Sequence, residues 1–287
     1  YSSMSGHALT GLLGSTGNEG GSMPFNSNPV ISMPDGAAYR DEIAQEGLKH
    51  EMIDRRGRLE FPALKKGKSG GGVVTGQLAN SILEEDPYPV EVMYASWNNY
   101  AWANPDPIEF ERAYKKIPFM VCSTTSVSET GYFADIILPA GQAMFERWSV
   151  ISNAGNGYGT VGFQQPMVQV GESRQDESEI PWLFAEALAR KGFSAPLDYL
   201  KNEFVDPETG AHPTNGDELG RIMVKMATQK LWDPKQYVAG DRFTGWEDFF
   251  KTGVWNSDHY DFRSKWGNMG TKTGNFEFYS ETLKAAL

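Results

Sequence analysis

The segment 89–140 constrains the fold more than any other. "PVEVMYASW" is an apolar, β-rich run with no breaker inside it, ended by Asn98 and Asn99. "NPDPIEFERAYKKI" reads as a capped helix. Asp106 stands at the N-cap, Pro107 at the first helical position and Glu109 three residues after the cap, with Phe110 and Tyr114 on one face. "PFMVCS" predicts a second buried strand. "SVSETGYF" predicts a short turn with Ser126 and Glu129 at capping-box spacing, and "ADIILP" a third strand. Strand, helix, strand, turn and strand in this order predict an α/β fold, a Rossmann-like parallel βαβ half-domain with helical and irregular segments on either side.

Those flanks are less ordered in pattern. Residues 1–14 carry Met4, Ala8 and Leu12 at helical spacing, a glycine-rich turn region follows, and 35–60 reads as a charged, solvated helix and turn. Four glycines between 155 and 162 make 146–173 a long irregular span. "SEIPWLFAEALARKG" predicts an amphipathic helix with Ile180, Leu183, Phe184, Ala187 and Leu188 on its buried stripe and Gly192 past its end. A turn at 206–210 precedes a helix with Ile222, Met226 and Leu231 as core candidates, then a shorter helix in "TGWEDFFKTGVW". "TKTGNFEFYS" alternates like a hairpin strand. The expected division is 1–86, 87–170 and 171–287, with the βαβ unit in the middle.

Composition then removes several functions. A net charge of −11 argues against a nucleic-acid partner, which needs a basic face. One cysteine, Cys122, cannot by itself build a zinc site or an iron–sulfur cluster, and it reads as a packed apolar residue. His7, His50, His212 and His259 have no short-spaced partners, so no metal ligand is assigned. No apolar run is long enough to span a bilayer. "GKSGGG" has the wrong order for a phosphate-binding Walker loop, and no G-x-G-x-x-G follows a strand, so a nucleotide-hydrolysing or nicotinamide enzyme is not supported. The opening "YSSMSGHALTGLLG" lacks an initiator Met and reads as the start of a piece of something longer.

Ligands of open parallel sheets bind beyond the carboxyl ends of the strands. Those ends are 96–106, with Trp97, Asn98 and Asn99, and 122–130, with Ser123, Thr124, Ser128 and Thr130. Amides and hydroxyls both donate and accept, and Trp offers a stacking face. Neither loop pairs a nucleophile with a base, so no catalytic residue is assigned. The loops suit holding a large polar ligand; the alternative is that their residues only cap and turn the chain. Arg147 beside Glu146 is either an ion pair or a phosphate contact.

"KKIPFMVCSTTSVSETGYFADIILPAGQAMFERW" resembles the molybdopterin oxidoreductase family, the dimethyl-sulfoxide-reductase superfamily. Ser128, Thr130, Ala134, Asp135, Ile136, Ile137, Leu138, Pro139, Ala140 and Glu146 match its T-x-T-A-x-x-A-D-[IV]-[IV]-L-P-A pattern and the acidic residue beyond it. "LLGSTGNEGG", "MYASWNNYAWANPD", "QPMVQVGESRQDESEIPWLFAEALARKGF" and "TKTGNFEFYS" are similar to further family blocks, in the family's order. The resemblance implies the middle section of a larger multidomain catalytic subunit. Such a subunit carries molybdenum or tungsten on two molybdopterin guanine dinucleotides and usually an iron–sulfur cluster in its N-terminal part. It further implies that Asn98, Asn99, Ser123, Thr124, Ser128 and Thr130 contact the guanosine or diphosphate of one cofactor, with Trp97 and Arg147 beside them. Thr124 departs from the pattern, standing where many members place an Asp that pairs with guanine. Gln77 and Asn80 fall near the substrate funnel.

The implied activity is two-electron reduction of polysulfide or of a sulfur or arsenic oxyanion, with the polysulfide, thiosulfate and tetrathionate branch most similar and arsenate reductases near by. The alternatives are a metal-free homologue serving as an electron-transfer scaffold, or a member acting on an organic substrate such as acetylene. Implied partners are the rest of the same subunit, an iron–sulfur electron-transfer subunit and a membrane anchor. The implied location is a periplasmic or membrane-associated complex.

Overall fold

The structure is a computed structural model in which residues 2–15, 18, 20–22, 28–50, 53, 75–141, 145–155, 157–261, 273–279 and 284 are described. It opens with α1 (Ser2–Leu12). The charged stretch that follows contains α2 (Glu42–Gly47), started by Asp41, whose side chain accepts from the Ala44 amide at 2.8 Å. "GKSGGG" lies outside the described residues. After it, α3 (Leu78–Glu84) is a helix the pattern did not announce.

The 89–140 segment folds as its periodicity dictates. Strand β1 (Val92–Ser96) is followed by a single helical turn, α4 (Tyr100–Ala103), and by α5 (Pro107–Lys116). Asp106 caps α5 by accepting from the Glu109 amide at 3.2 Å, with Pro107 in the first turn as expected. Strand β2 (Phe119–Thr124) pairs in parallel with β1, and β3 (Ile136–Pro139) pairs in parallel with β2. The expected α/β architecture holds. Ala95, Met120 and Cys122 bury one sheet face against Leu78, Ala79 and Ile82 of α3 and Phe110, Ala113 and Tyr114 of α5. Each large side chain sealed there stabilises by roughly 1.5–3 kcal/mol. The opposite face carries Val92, Tyr94 and Phe119, all exposed; Tyr94 meets the ring of Phe184 at 5.4 Å.

The capping box expected at Ser126 and Glu129 does not form. The turn at Thr130–Phe133 is a 3-10 helix without a side-chain cap from Glu129, and Ser126 instead offers its carbonyl to the Thr124 hydroxyl at 2.6 Å.

The span read as irregular is a hairpin. Strand β4 (Ser149–Gly155) pairs antiparallel with β5 (Tyr158–Gln164). The glycines that suggested irregularity mark close approaches: a Cβ on Gly159 would lie 2.1 Å from Asn28 Oδ1, and Gly157 sits at φ 80° against His259. Helix α6 (Glu179–Arg190) forms where expected but turns a different face inward. Ile180 is buried as expected, but with Trp182 and Ala185, whereas Leu183, Phe184 and Leu188 are exposed. The reason is Trp182, which packs with Phe204, Leu219 and Ile222 and sets the rotation of the helix. Gly192 takes φ 95° just beyond it, as its position predicts.

Helices α7 (Ala195–Asn202), α8 (Gly216–Trp232) and α9 (Trp246–Thr252) follow, and β6 (Val254–Asn256) adds to β5. Val161, Val224, Leu231, Trp232, Phe249 and Trp255 form a second core between the hairpin and these helices. Within it Lys225, 3% exposed, bonds both Asp206 oxygens at 2.9 Å and Glu208 at 2.7 Å. An extended strap, 28–34, crosses this region. Asn28 Nδ2 donates to Ser152, Asn153 and Thr160, the Ile31 amide to the Ala227 carbonyl at 2.8 Å, and the Tyr199 hydroxyl to the Pro34 carbonyl at 2.7 Å. Residues 273–279 form a turn and bends rather than the expected strand, because Glu277 accepts from both the amide and the hydroxyl of Thr273. No helix among the described residues is long and apolar enough to cross a membrane.

Candidate functional site

Parallel pairing in register places Ser96 beside Ser123 and Thr124 beside Pro139, so the loops after β1 and β2 emerge from one edge of the sheet. They are open to solvent: Thr125, Ser126 and Val127 are exposed, and Asn98, Asn99, Thr124 and Ser128 are partly exposed.

Two of the candidate residues brace the edge. Asn99 reaches across from the first loop, donating from Nδ2 to Glu129 Oε2 at 2.6 Å. Its Oδ1 accepts from both the amide and the hydroxyl of Thr130, at 3.0 and 3.1 Å. Thr130 is fully buried, and its hydroxyl oxygen also accepts from the Ala101 amide at 3.2 Å. The Thr130 amide, which opens the 3-10 turn, is therefore occupied by protein. The hydrogen bond from Asn99 holds the Glu129 carboxyl below its ordinary range.

Two others have capacity to spare. Asn98 Oδ1 and Ser123 Oγ are buried and have no hydrogen-bond partner, and the Asn98 amide nitrogen makes only a long 3.4 Å contact with the Ser96 carbonyl. Leaving a buried polar atom unpaired costs roughly 1–3 kcal/mol, and here two such atoms stand at adjacent strand ends. Ser128 is half-buried beside Gly131, and the Thr124 hydroxyl closes its own loop.

Trp97 and Arg147 meet each other. The guanidinium carbon lies 4.1 Å from the centre of the indole. Arg147 is 8% exposed and bonds Glu177 at 2.8 Å, with Asp176 at 3.4 Å. Of the two roles left open for Arg147, the ion pair forms, with acids about thirty positions further on rather than with Glu146. Glu146 is itself buried, accepting from the Val170 amide and the Ser173 hydroxyl, which pins the 165–174 loop. Burial pushes the Asp176 carboxyl up, and the nearby Arg147 charge offsets only part of that. Nothing in local spacing signals Asp176, Glu177 or Glu129 as partners of these residues; chain reversal between β3 and α6 brings the first two near.

The remaining candidates are quieter. Asn80 donates to Gln77 at 2.9 Å at the start of α3, and of the stretch 70–80 expected near the funnel only 70–74 lie outside the described residues. Burial raises the Cys122 thiol, in keeping with a packed residue rather than a reactive one. Among the described residues no group of three His, Cys, Asp or Glu side chains is placed to hold a metal ion. A cavity of about 610 Å³ lies beside Trp255 and His259, but Asn28 and Ser257 on its wall are already engaged by the hairpin.

No family model matches the chain. Among curated proteins it is 46% identical over its full length to the arsenate respiratory reductase molybdopterin-containing subunit ArrA of Shewanella sp. (strain ANA-3). It is 42% identical, again over its full length, to the subunit of the same name from Chrysiogenes arsenatis. In both cases it spans 34% of the relative, so the chain covers about a third of the length of the curated proteins it matches. Among solved structures, acetylene hydratase from Pelobacter acetylenicus aligns with a TM-score of 0.47 and 17% identity, over 72% of this chain and 24% of that one.

Proposed function

The chain belongs to the molybdopterin oxidoreductase family, and on that premise we propose that it is part of a catalytic subunit that reduces arsenate by two electrons. The observation that carries the reading is identity of 46% sustained across the whole chain to a subunit named for arsenate respiration. Of the substrates implied by the resemblance, the arsenic oxyanion is the one these relatives support.

The strand ends suit the role of cofactor holder. Asn98 Oδ1 would accept a hydrogen bond from the guanosine, and Ser123 Oγ would accept from the guanosine or donate to the diphosphate of a molybdopterin guanine dinucleotide, offsetting the cost of leaving them unpaired. Thr124 and Ser128 add hydroxyls at the same edge. Asn99 and Thr130 serve differently: they fix the two loops against one another, so that the ligand-facing groups are held before anything binds. When bound, the molybdenum centre supplies the two-electron, oxygen-atom chemistry. This section contributes grip and orientation. An iron–sulfur partner subunit, a membrane anchor and a periplasmic-side complex complete the proposal.

The test is the complete subunit, purified and assayed for bound metal and for arsenate-dependent oxidation of a reduced dye. We expect stoichiometric molybdenum and activity with arsenate exceeding that with thiosulfate, tetrathionate or polysulfide. Absence of both molybdenum and tungsten would move the protein to the electron-transfer scaffold reading. Preference for a sulfur compound would move it to the neighbouring branch.

A further inference from the structure

We propose that Trp97 is the stacking platform for the guanine base of that cofactor, and that Arg147 is a positioning residue that holds the indole rather than a contact to phosphate. The inference rests on the guanine dinucleotide reading above and assigns two side chains to it.

Trp97 is the first residue after β1 and sits at φ 56°. A bulky residue in the left-handed region is strained, and glycine or asparagine would occupy the position more easily. The strain persists with a large aromatic ring at the mouth of the edge where ligands of such sheets bind. Arg147 covers one face of that ring at 4.1 Å, while 51% of the residue remains exposed. A ring backed by protein on one side and open on the other is what a nucleobase needs in order to stack, and stacking is the main way flat bases are held without a code of hydrogen bonds. That matters here because Thr124 supplies a hydroxyl where a carboxylate would pair with guanine.

Arg147 is poorly suited to phosphate. It is nearly sealed, and its charge is already met by Glu177 at 2.8 Å and Asp176 at 3.4 Å. A phosphate drawn to the guanidinium would face both carboxylates. The same pairs fix the plane of the guanidinium, which in turn fixes the plane of the indole. The loop before α6 therefore sets the angle of a ring at the end of β1, eighty positions upstream in the sequence.

The experiment uses the complete, cofactor-loaded subunit. Guanine nucleotide released per molybdenum is followed over time at one mild temperature, alongside the melting profile and tryptophan fluorescence. Trp97→Ala is expected to release nucleotide roughly tenfold faster, with Trp97→Phe within about threefold of wild type because a ring is restored. Release should raise fluorescence in the wild type, and Trp97→Phe should remove that rise. Arg147→Met alone strands Asp176 and risks the fold, so Arg147→Met is combined with Asp176→Asn. The double variant should melt near wild type yet release nucleotide about as fast as Trp97→Ala. If the wild type releases guanine nucleotide but Trp97→Ala does so at the same rate, the platform is wrong and the cofactor reading stands. If the double variant retains nucleotide like wild type, Arg147 has no positioning role. If the wild type contains no guanine nucleotide, the cofactor reading and this inference fall together.

Discussion

Asn99→Ala tests whether the two strand-end loops are one rigid unit. In the wild type, Asn99 Oδ1 is the acceptor for the Thr130 amide at 3.0 Å and hydroxyl at 3.1 Å, and Thr130 is fully buried. Truncation leaves both donors without that acceptor. An unsatisfied buried group costs roughly 1–3 kcal/mol, so the two donors together come to about 2–6 kcal/mol of local stability. At about 1.4 kcal/mol per decade, opening of the 128–133 turn becomes roughly 30-fold or more easier. Hydrogen exchange on the complete subunit reads this directly, at the Thr130 amide and at the Ala101 amide that bonds the Thr130 hydroxyl. Asn99→Asp sharpens the test. Its carboxylate can accept from Thr130 but must face Glu129, which Asn99 now reaches at 2.6 Å. In the wild type the Glu129 carboxyl is lowered from its ordinary 4.5. Its contribution is present above that value and is lost as the pH falls through the folded one. In Asn99→Asp the sign reverses: repulsion is present at neutral pH and is relieved as one carboxylate takes a proton on acidification. Protection at Thr130 unchanged in Asn99→Ala would refute the brace.

Lys225→Met removes the counter-charge of Asp206 in the second core and should destabilise the subunit by about 3–5 kcal/mol, with Lys225→Met/Asp206→Asn recovering much of it; thermal unfolding of the two variants decides. Desolvation opposes the Asp206 charge, but the hydrogen bonds from Lys225 and the Glu208 and Thr209 amides outweigh it and leave its carboxyl lowered. Its stabilising contribution should therefore hold above about pH 4 and fade as acid reaches the folded value, a fade that the double variant should lack in an acid titration. Gly159→Ala would place a methyl 2.1 Å from Asn28 Oδ1 and should cost about 2 kcal/mol or more by displacing Asn28 from its three acceptors, read as faster proteolysis of the 28–34 strap. Expressed as the 287-residue chain alone, the protein exposes Val92, Tyr94, Phe119, Leu183 and Leu188 and should bind hydrophobic dye and melt without a sharp transition; a cooperative, dye-silent melt would overturn that expectation.

The βαβ unit was legible because its information is local: Asp106, Pro107 and Glu109 mark a helix start by chemistry confined to four positions, and the flanking strands are unbroken. The hairpin at 149–164 was not, since its glycines answer to Asn28 and His259, more than a hundred residues away in either direction along the chain. The rotation of α6 was misread for a similar reason. From Ile180, which both readings bury, Leu183, Phe184, Ala187 and Leu188 continue a stripe as well as Trp182 and Ala185 do, and only packing of Trp182 on α8 chooses between them. At the site, residue types at the strand ends were foreseeable, but their division of labour was not. Asn98 and Asn99 are adjacent and chemically identical, yet one oxygen is unpaired and the other holds two donors. Arg147 shows the limit most clearly: the acid beside it, Glu146, turns to another loop, and its own partners lie beyond β5.

The strap at 28–34 has a consequence for how the polypeptide can be divided. Asn28 is tied to the hairpin, Ile31 to α8 and Pro34 to Tyr199, three separate anchors within seven residues. A backbone cut between the strap and α3 would sever continuity without releasing the upstream piece. The two products should travel together through a sizing column under native conditions and part only in denaturant, which makes that stretch a natural place to split the protein for reassembly or to insert a reporter.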